Sequence, residues 1–257
     1  MLFRSTRRRF YAPPEAFATD RTSGSLSADE TRHLRSVLRL QTGDEVYVFD
    51  GAGREFRAEI DAINQDQTNL RITEEVVPSA LESPLTLTMA VALLKGEKFD
   101  LVIQKLTELG VSRVVPLITA RADVRLRNDH EADGKVSRWQ RIAMEATKQC
   151  GRARLMTIEN PLAFDQLMES SKANGELRFM FAERGGDSFA HALDQTQKAA
   201  AQITALVGPE GGWSDDELSQ ARNEGWQLIT LGGRIMRAET SAIACAALLQ
   251  HRLGDLN

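Results

Sequence analysis

The sequence predicts an α/β protein in two parts: a small β-rich N-terminal domain, residues 1–77, and a mainly parallel sheet flanked by helices, residues 78–257. Three observations carry this. Between Glu45 and Val77 the apolar residues follow β-type spacing. After Pro84, strand patterns alternate with helical ones, the order expected of a parallel sheet. Finally, two apolar strands near the C-terminal end each run into a glycine-rich turn: ITALVGPEGGWS at 203–214 and LITLGGRIMRAETSA at 228–242.

In chain order, SADETRHLRSVLRL reads as a short helix bearing Arg32, Arg35 and Arg39. Ser27 is its expected N-cap, and Glu30, three places on, completes an expected capping box. EVYVFD, REFRAEIDAI and TNLRITEEVV are strands, and the DGAG at 50–53 is a hairpin turn, because no helix follows it to make a nucleotide-binding loop. Pro78 and Pro84 bracket a linker. Then come the strand LTLTMAVALL, the helix KFDLVIQKLTELG ending at Gly110, the strand RVVPLI and the helix KVSRWQRIAMEATKQCG. LRFMFAE, ITALVG and WQLITLG complete the βα series.

Composition narrows the class. The chain is 42% apolar and 26% charged, that of a globular protein, with no run of about 18 apolar residues to span a membrane. MLFRSTRRRFYAPP has no apolar core of a secretory signal, so a cytoplasmic location is expected. Cys150 and Cys245 are too few for a disulfide framework or zinc cage, and the four histidines are scattered, so no metal is expected. The net charge of −4 hides two basic segments. Residues 1–40 carry a net +4 and residues 113–154 a net +5. Either can be a solvated face, but Arg7, Arg8 and Arg9 beside Phe10 and Tyr11 pair guanidinium with aromatic rings, which suits RNA.

Ligands of parallel sheets bind at the carboxyl ends of the strands, where both glycine turns sit. No GxxxxGK[ST] is present, nor a GxGxxG opening a helix, so a nucleoside triphosphate is disfavoured. GPEGG offers backbone groups and one carboxylate, and LGGRIM more backbone with two apolar side chains. That lining suits an adenine and a sulfonium better than a polyphosphate.

LVGPEGGWSDDEL followed by LGGRIMRAETSAIACAALL resembles the C-terminal motifs of the SPOUT methyltransferases. RRFY, HLRSVLRLQTGDEVYVFDG, KGEKFDLVIQKLTELGV and RWQRIAMEATKQCGR extend the resemblance along the chain to the RsmE type, which methylates N3 of a uridine in 16S ribosomal RNA. The resemblance implies a PUA-like RNA-binding domain, a trefoil knot in the sheet domain, a homodimer, and a substrate of 16S rRNA or the assembled small subunit. It implies S-adenosyl-L-methionine as cofactor, bound by Leu206, Val207, Gly208, Pro209, Glu210, Gly211, Gly212, Leu231, Gly232, Ile235, Met236 and Ala238. Arg237, Glu239 and Thr240 are the catalytic candidates, and Arg7, Arg8, Arg9, Tyr11, Arg32 and Arg39 the RNA-binding ones.

Simpler roles compete at each place. A lone glycine is a turn; Arg237 and Glu239 are a solvated pair at a helix start; Thr240 or Ser241 is an N-cap. Trp139, Trp213 and Trp226 are core or interface residues, the cysteines small buried residues, and His33 either packs or faces RNA. Rival functions are a SPOUT enzyme acting on another base or a ribose, and an inactive RNA-binding assembly factor.

Overall fold

The computed structural model describes residues 7–170, 176–194 and 202–256, so residues 1–6 of the basic N-terminal stretch lie outside it. The chain divides into two compact units. One comprises Met1–Glu82 with Met144–Leu155, the other Ser83–Ala143 with Met156–Asn257.

The first unit is a five-stranded sheet in the order β1-β3-β4-β5-β2, formed by β1 (Arg9–Tyr11), β2 (Ser23–Leu26), β3 (Glu45–Phe49), β4 (Glu55–Ile63) and β5 (Thr68–Val76). β1 and β3 are parallel and the other pairs antiparallel. Alternation puts Val46, Val48, Phe56, Ala58 and Ile60 into a core with Phe10, Leu26, Leu34 and Leu70. The β3–β4 connection is the expected hairpin. Asp50 Oδ1 accepts the amides of Ala52 (2.8 Å) and Arg54 (3.0 Å), while Gly51 and Gly53 take positive φ.

The helix at 27–40 departs from expectation. Ser27 does cap α1 (Ala28–Arg32), accepting from the Glu30 amide. Glu30 does not return the bond: its buried carboxylate pairs with Lys148, so no capping box forms. After five residues the helix widens into a π turn, His33–Val37.

No boundary drawn at one point in the sequence accounts for Met144–Leu155 in this unit. Arg9, on β1, reaches them with both terminal nitrogens of its guanidinium. Nε donates to Glu55 Oε1 (2.8 Å), Nη1 to the carbonyls of Thr147 and Lys148 (both 3.0 Å), and Nη2 to that of Arg152 (2.7 Å). Arg152 in turn pairs with Glu82, at 2.7 Å.

The second unit is an all-parallel sheet in the order β11-β13-β10-β12-β6-β7-β8, with β9 also paired to β7. Its strands are β6 (Thr86–Ala92), β7 (Arg113–Ile118), β8 (Thr157–Ile158), β9 (Leu162–Ala163), β10 (Leu177–Phe181), β11 (Asp187–Ser188), β12 (Gln202–Val207) and β13 (Gln227–Thr230). The helices are α2 (Lys98–Glu108), α3 (Asp129–Cys150), α4 (Phe164–Ser170), α5 (Phe189–Asp194), α6 (Asp215–Asn223) and α7 (Ala238–Leu253). Two cores form, one on each face of the sheet. Leu87, Met89, Val91, Ala205 and Val207 face one; Ala90, Leu206, Trp213 and Leu228 face the other.

The capping box that the sequence does encode lies on α6, where Ser214 and Glu217 bond each other's amides. α7 is entered differently from expectation. Arg237 occupies the N-cap position without a side-chain cap, and Thr240 and Ser241 are already inside the helix. All three tryptophans and Cys245 are buried; burial pushes the Cys245 thiol pKa far up, leaving it protonated and unreactive.

Candidate active site

The two glycine turns do not end adjacent strands. β10 lies between β12 and β13, paired with both, so a third strand end separates the turns and supplies the floor of a cleft. Phe181, Ala182 and Glu183 come from the end of β10, Val207, Gly208, Pro209, Gly212 and Trp213 from that of β12, and residues 229–236 from that of β13; Ala238 and Ser241 of α7 close it.

The turn after β12 is held by Trp213. Its indole is fully buried and Nε1 donates to the Phe181 carbonyl at 2.9 Å, tying this turn to β10. Gly208 packs on that indole so closely that a Cβ would stand 2.9 Å from the ring, and Gly212, at φ 67°, has no room for a side chain beside the Glu183 carboxylate. Glycine at both places is thus a matter of space as well as backbone freedom. The turn after β13 is the opposite case. Gly232 (φ 75°) and Gly233 have open space where a Cβ would point, and Ile235 is 95% exposed.

Of the expected cofactor residues, Val207, Gly208, Pro209, Gly212, Leu231, Gly232, Ile235, Met236 and Ala238 line this cleft. Leu206, Glu210 and Gly211 do not. Leu206 points to the opposite face, as strand alternation requires once Val207 points in. Glu210 turns away to pair with Lys98 Nζ at 2.8 Å, and Gly211 faces the Arg121 backbone. Phe181, Ala182, Glu183, Trp213, Ile229, Thr230, Gly233, Arg234 and Ser241 also line the cleft and were not among the expected cofactor residues. LRFMFAE was legible as a strand, but its place between β12 and β13 was not.

The lining is mainly backbone and apolar side chains, with the Glu183 carboxylate, the Arg234 guanidinium and the hydroxyls of Thr230 and Ser241 as polar points. Ala238 and Ser241, in the first turn of α7, bring a helix start to its edge. An adenosyl group with a sulfonium fits this lining: apolar walls for the ring, carbonyls and the Glu183 carboxylate for the cation.

Arg237, Glu239 and Thr240 are outside the lining, immediately before and after Ala238. Arg237 and Thr240 are exposed, whereas Glu239 is half-buried with one carboxylate oxygen buried and without a hydrogen-bond partner. α2 and α7 pack together, and the ammonium at the start of α2 feels this cluster. The bond to Glu210 raises the Lys98 pKa; Glu239 adds to the effect and Arg237 opposes it. Lys98 was not singled out in the sequence.

The RNA candidates separate sharply. Arg9 is a correction: it is 7% exposed and all its nitrogens are engaged internally, leaving none for a phosphate. Arg7 lies over the Tyr47 ring and donates to the Val77 carbonyl. Tyr11 packs on Phe49, and burial raises its pKa. Arg8 and Arg39 are exposed, and Arg32, also exposed, pairs with Asp29 at 3.1 Å.

A family model described as an RNA methyltransferase domain matches residues 81–250. The chain belongs to this RNA methyltransferase family. A second model, an RNA methyltransferase PUA domain, matches residues 26–73 and so falls within the N-terminal unit. Relatives agree with the RsmE-type assignment. The ribosomal RNA small subunit methyltransferase E of Synechocystis is 35% identical over 87% of this chain and 71% of its own length, and that of Rickettsia conorii 32% over 86% and 87%. Among solved structures, a Legionella pneumophila methyltransferase with bound S-adenosylmethionine superimposes with a TM-score of 0.87 at 31% identity, covering 98% of this chain and all of the other. The Neisseria gonorrhoeae ribosomal RNA small subunit methyltransferase E, also bound to S-adenosylmethionine, gives 0.87 at 29% over 98% and 100%. The methyltransferase thus has the expected classes of fold and chemistry: an α/β sheet domain and a PUA-like module.

Proposed function

We propose that this methyltransferase uses S-adenosyl-L-methionine to methylate N3 of a uridine in 16S ribosomal RNA. The observation that carries the reading is the cleft over β10, walled by two glycine turns that leave backbone and apolar surface for an adenosyl group. When bound, the cofactor supplies an electrophilic methyl group.

The chain must do the rest. Uridine N3 holds a proton at neutral pH, and its lone pair becomes a good nucleophile only as that proton leaves. The buried, unpartnered oxygen of Glu239 is an acceptor beside the cleft wall at Ala238. In our reading it takes the N3 proton as the N–C bond forms. Exposed Arg237 stabilises the negative charge that spreads to the uracil carbonyl oxygens, and Thr240 orients the base. Val207, Gly208, Pro209, Gly212, Leu231, Gly232, Ile235, Met236 and Ala238 hold the cofactor. Leu206, Glu210 and Gly211 support the turn from behind.

RNA is engaged by the N-terminal domain, through Arg8 and Arg39 with Arg7, Tyr11 and Arg32 beside them. We further propose the trefoil knot, a homodimer and a cytoplasmic site of action, where ribosomes are built. Among the described residues no helix is long and apolar enough to cross a membrane.

Mass spectrometry of 16S rRNA tests the reading. RNA from cells lacking the protein should lose one methyl from one uridine, and the purified protein with S-adenosylmethionine should restore it. A full complement of methylated uridines in the deletion strain refutes it, and loss of a ribose methyl instead assigns a different acceptor.

A further inference from the structure

Residues 33–39 combine a widened helical turn with a left-handed arginine, a backbone state shared in this unit by Arg21 at φ 55°. The chain widens into the π turn, with the Leu38 amide donating to the His33 carbonyl at 3.2 Å, and Arg39 then takes φ 54°, a region that arginine rarely adopts. Both ends are anchored. Leu34 and Leu40 are buried in the unit's core, and the Leu40 amide bonds the Leu34 carbonyl at 3.2 Å. Between the anchors Arg35, Ser36, Val37, Leu38 and Arg39 are exposed in succession, Val37 at 64% and Leu38 at 39%.

Two apolar side chains stand in water, and an arginine is held in a strained backbone state. Strain of this kind survives where a function requires the shape. The charges say what kind. Among the described residues neither Arg35 nor Arg39 has an ion-pair partner, while the neighbouring acids are spent: Asp29 on Arg32, and buried Glu30 on Lys148. The surface is an apolar tip between two guanidinium groups that have no ion-pair partner among the described residues.

We propose that Arg35, Val37, Leu38 and Arg39 form an RNA-contacting tip. The two guanidiniums bind phosphates, and Val37 and Leu38 press against the face of an unstacked base. A polyanion with exposed apolar ring faces is the ligand class that satisfies both halves of the tip at once. The proposal rests on the reading of ribosomal RNA as the substrate.

Two double variants of the full chain test it: Val37→Ser with Leu38→Ser, and Arg35→Ala with Arg39→Gly, the glycine accepting φ 54° without strain. The probes are an unmodified small-subunit rRNA transcript and small subunits from a strain lacking the protein. Thermal melts and S-adenosylmethionine affinity should match the parent in both. The apolar variant should bind RNA about tenfold more weakly, the free-energy equivalent of about 1.4 kcal/mol, at every salt concentration. The arginine variant should show a log–log salt slope shallower by about 1.4, since each phosphate left unneutralised lowers the slope by about 0.7.

Parental affinity and slope in both variants overturn the proposal. Loss of binding to subunits but not to protein-free RNA overturns it too, by assigning the tip to a ribosomal protein. Failure of the parent itself to bind or methylate either probe defeats the substrate reading, and this inference with it.

Discussion

Replacing Arg9 by Ala separates a structural arginine from an RNA-binding one. The guanidinium bonds buried Glu55 and three main-chain carbonyls from residues 147–152. Removing it leaves a carboxylate that is 0% exposed, and breaking a buried pair from one side costs about 3–5 kcal/mol. Glu55 keeps two partners, Arg7 at 3.3 Å and the Ser79 amide at 3.1 Å. These place the loss near the lower end, about 3 kcal/mol. At about 2–4 °C per kcal/mol for a chain of this size, the protein should melt about 6–12 °C lower. Arg9→Lys should recover little, because one ammonium cannot reach a carboxylate and three carbonyls in a plane. Arg8→Ala, at an exposed site, should change stability by less than about 0.5 kcal/mol yet weaken RNA binding. The assay pairs thermal melts with RNA titration over a salt series below the melting temperature. If Arg9→Ala melts with the parent but binds RNA with a shallower salt slope, Arg9 is an RNA contact and the buried network carries no weight.

Gly212→Ala, strained at φ 67° and driven into Glu183, should weaken S-adenosylmethionine binding at least tenfold in calorimetry, whereas Gly211→Ala, facing Arg121, should have a smaller effect; the reverse order would misplace the cleft. Arg237→Ala and Glu239→Gln should lower single-turnover methylation by about 10²–10³ while sparing cofactor affinity, which a side chain acting only in the transition state predicts. Raising the pH should partly rescue Glu239→Gln, since more uridine is already ionised; a pH-independent defect would remove Glu239 as the base. Trp213→Phe should cost about 1 kcal/mol of stability by losing the bond to Phe181 and should weaken cofactor binding through the loosened turn; unchanged affinity would show that the turn holds without it.

Local patterns were legible wherever one element decides its own form. β7 coincides with RVVPLI, and the Asp50 turn follows from Asp and two glycines between alternating strands. Nonlocal placement was not. Nothing in LRFMFAE says that it inserts between the two glycine-turn strands, since strand order is fixed by packing over distant sequence. The same blindness affected charge. Arg7, Arg8 and Arg9 read alike, yet only Arg9 is buried, held by a carboxylate 46 residues away. Glu210 shows the matching ambiguity among acids, since it pairs with Lys98 on a helix more than a hundred residues earlier.

The segment 144–155 bears on how the protein is made. A ribosome delivers residues 1–82 long before Thr147, Lys148 and Arg152 emerge, so the nascent N-terminal sheet must wait with both Nη groups of Arg9 unsatisfied by those carbonyls. Its closing piece arrives only after three elements of the other unit, β6, α2 and β7, have been translated. Order of synthesis and order of completion therefore differ. A fragment ending at residue 82 should be a poor domain, prone to capture by chaperones, although the sheet it encodes has all its strands.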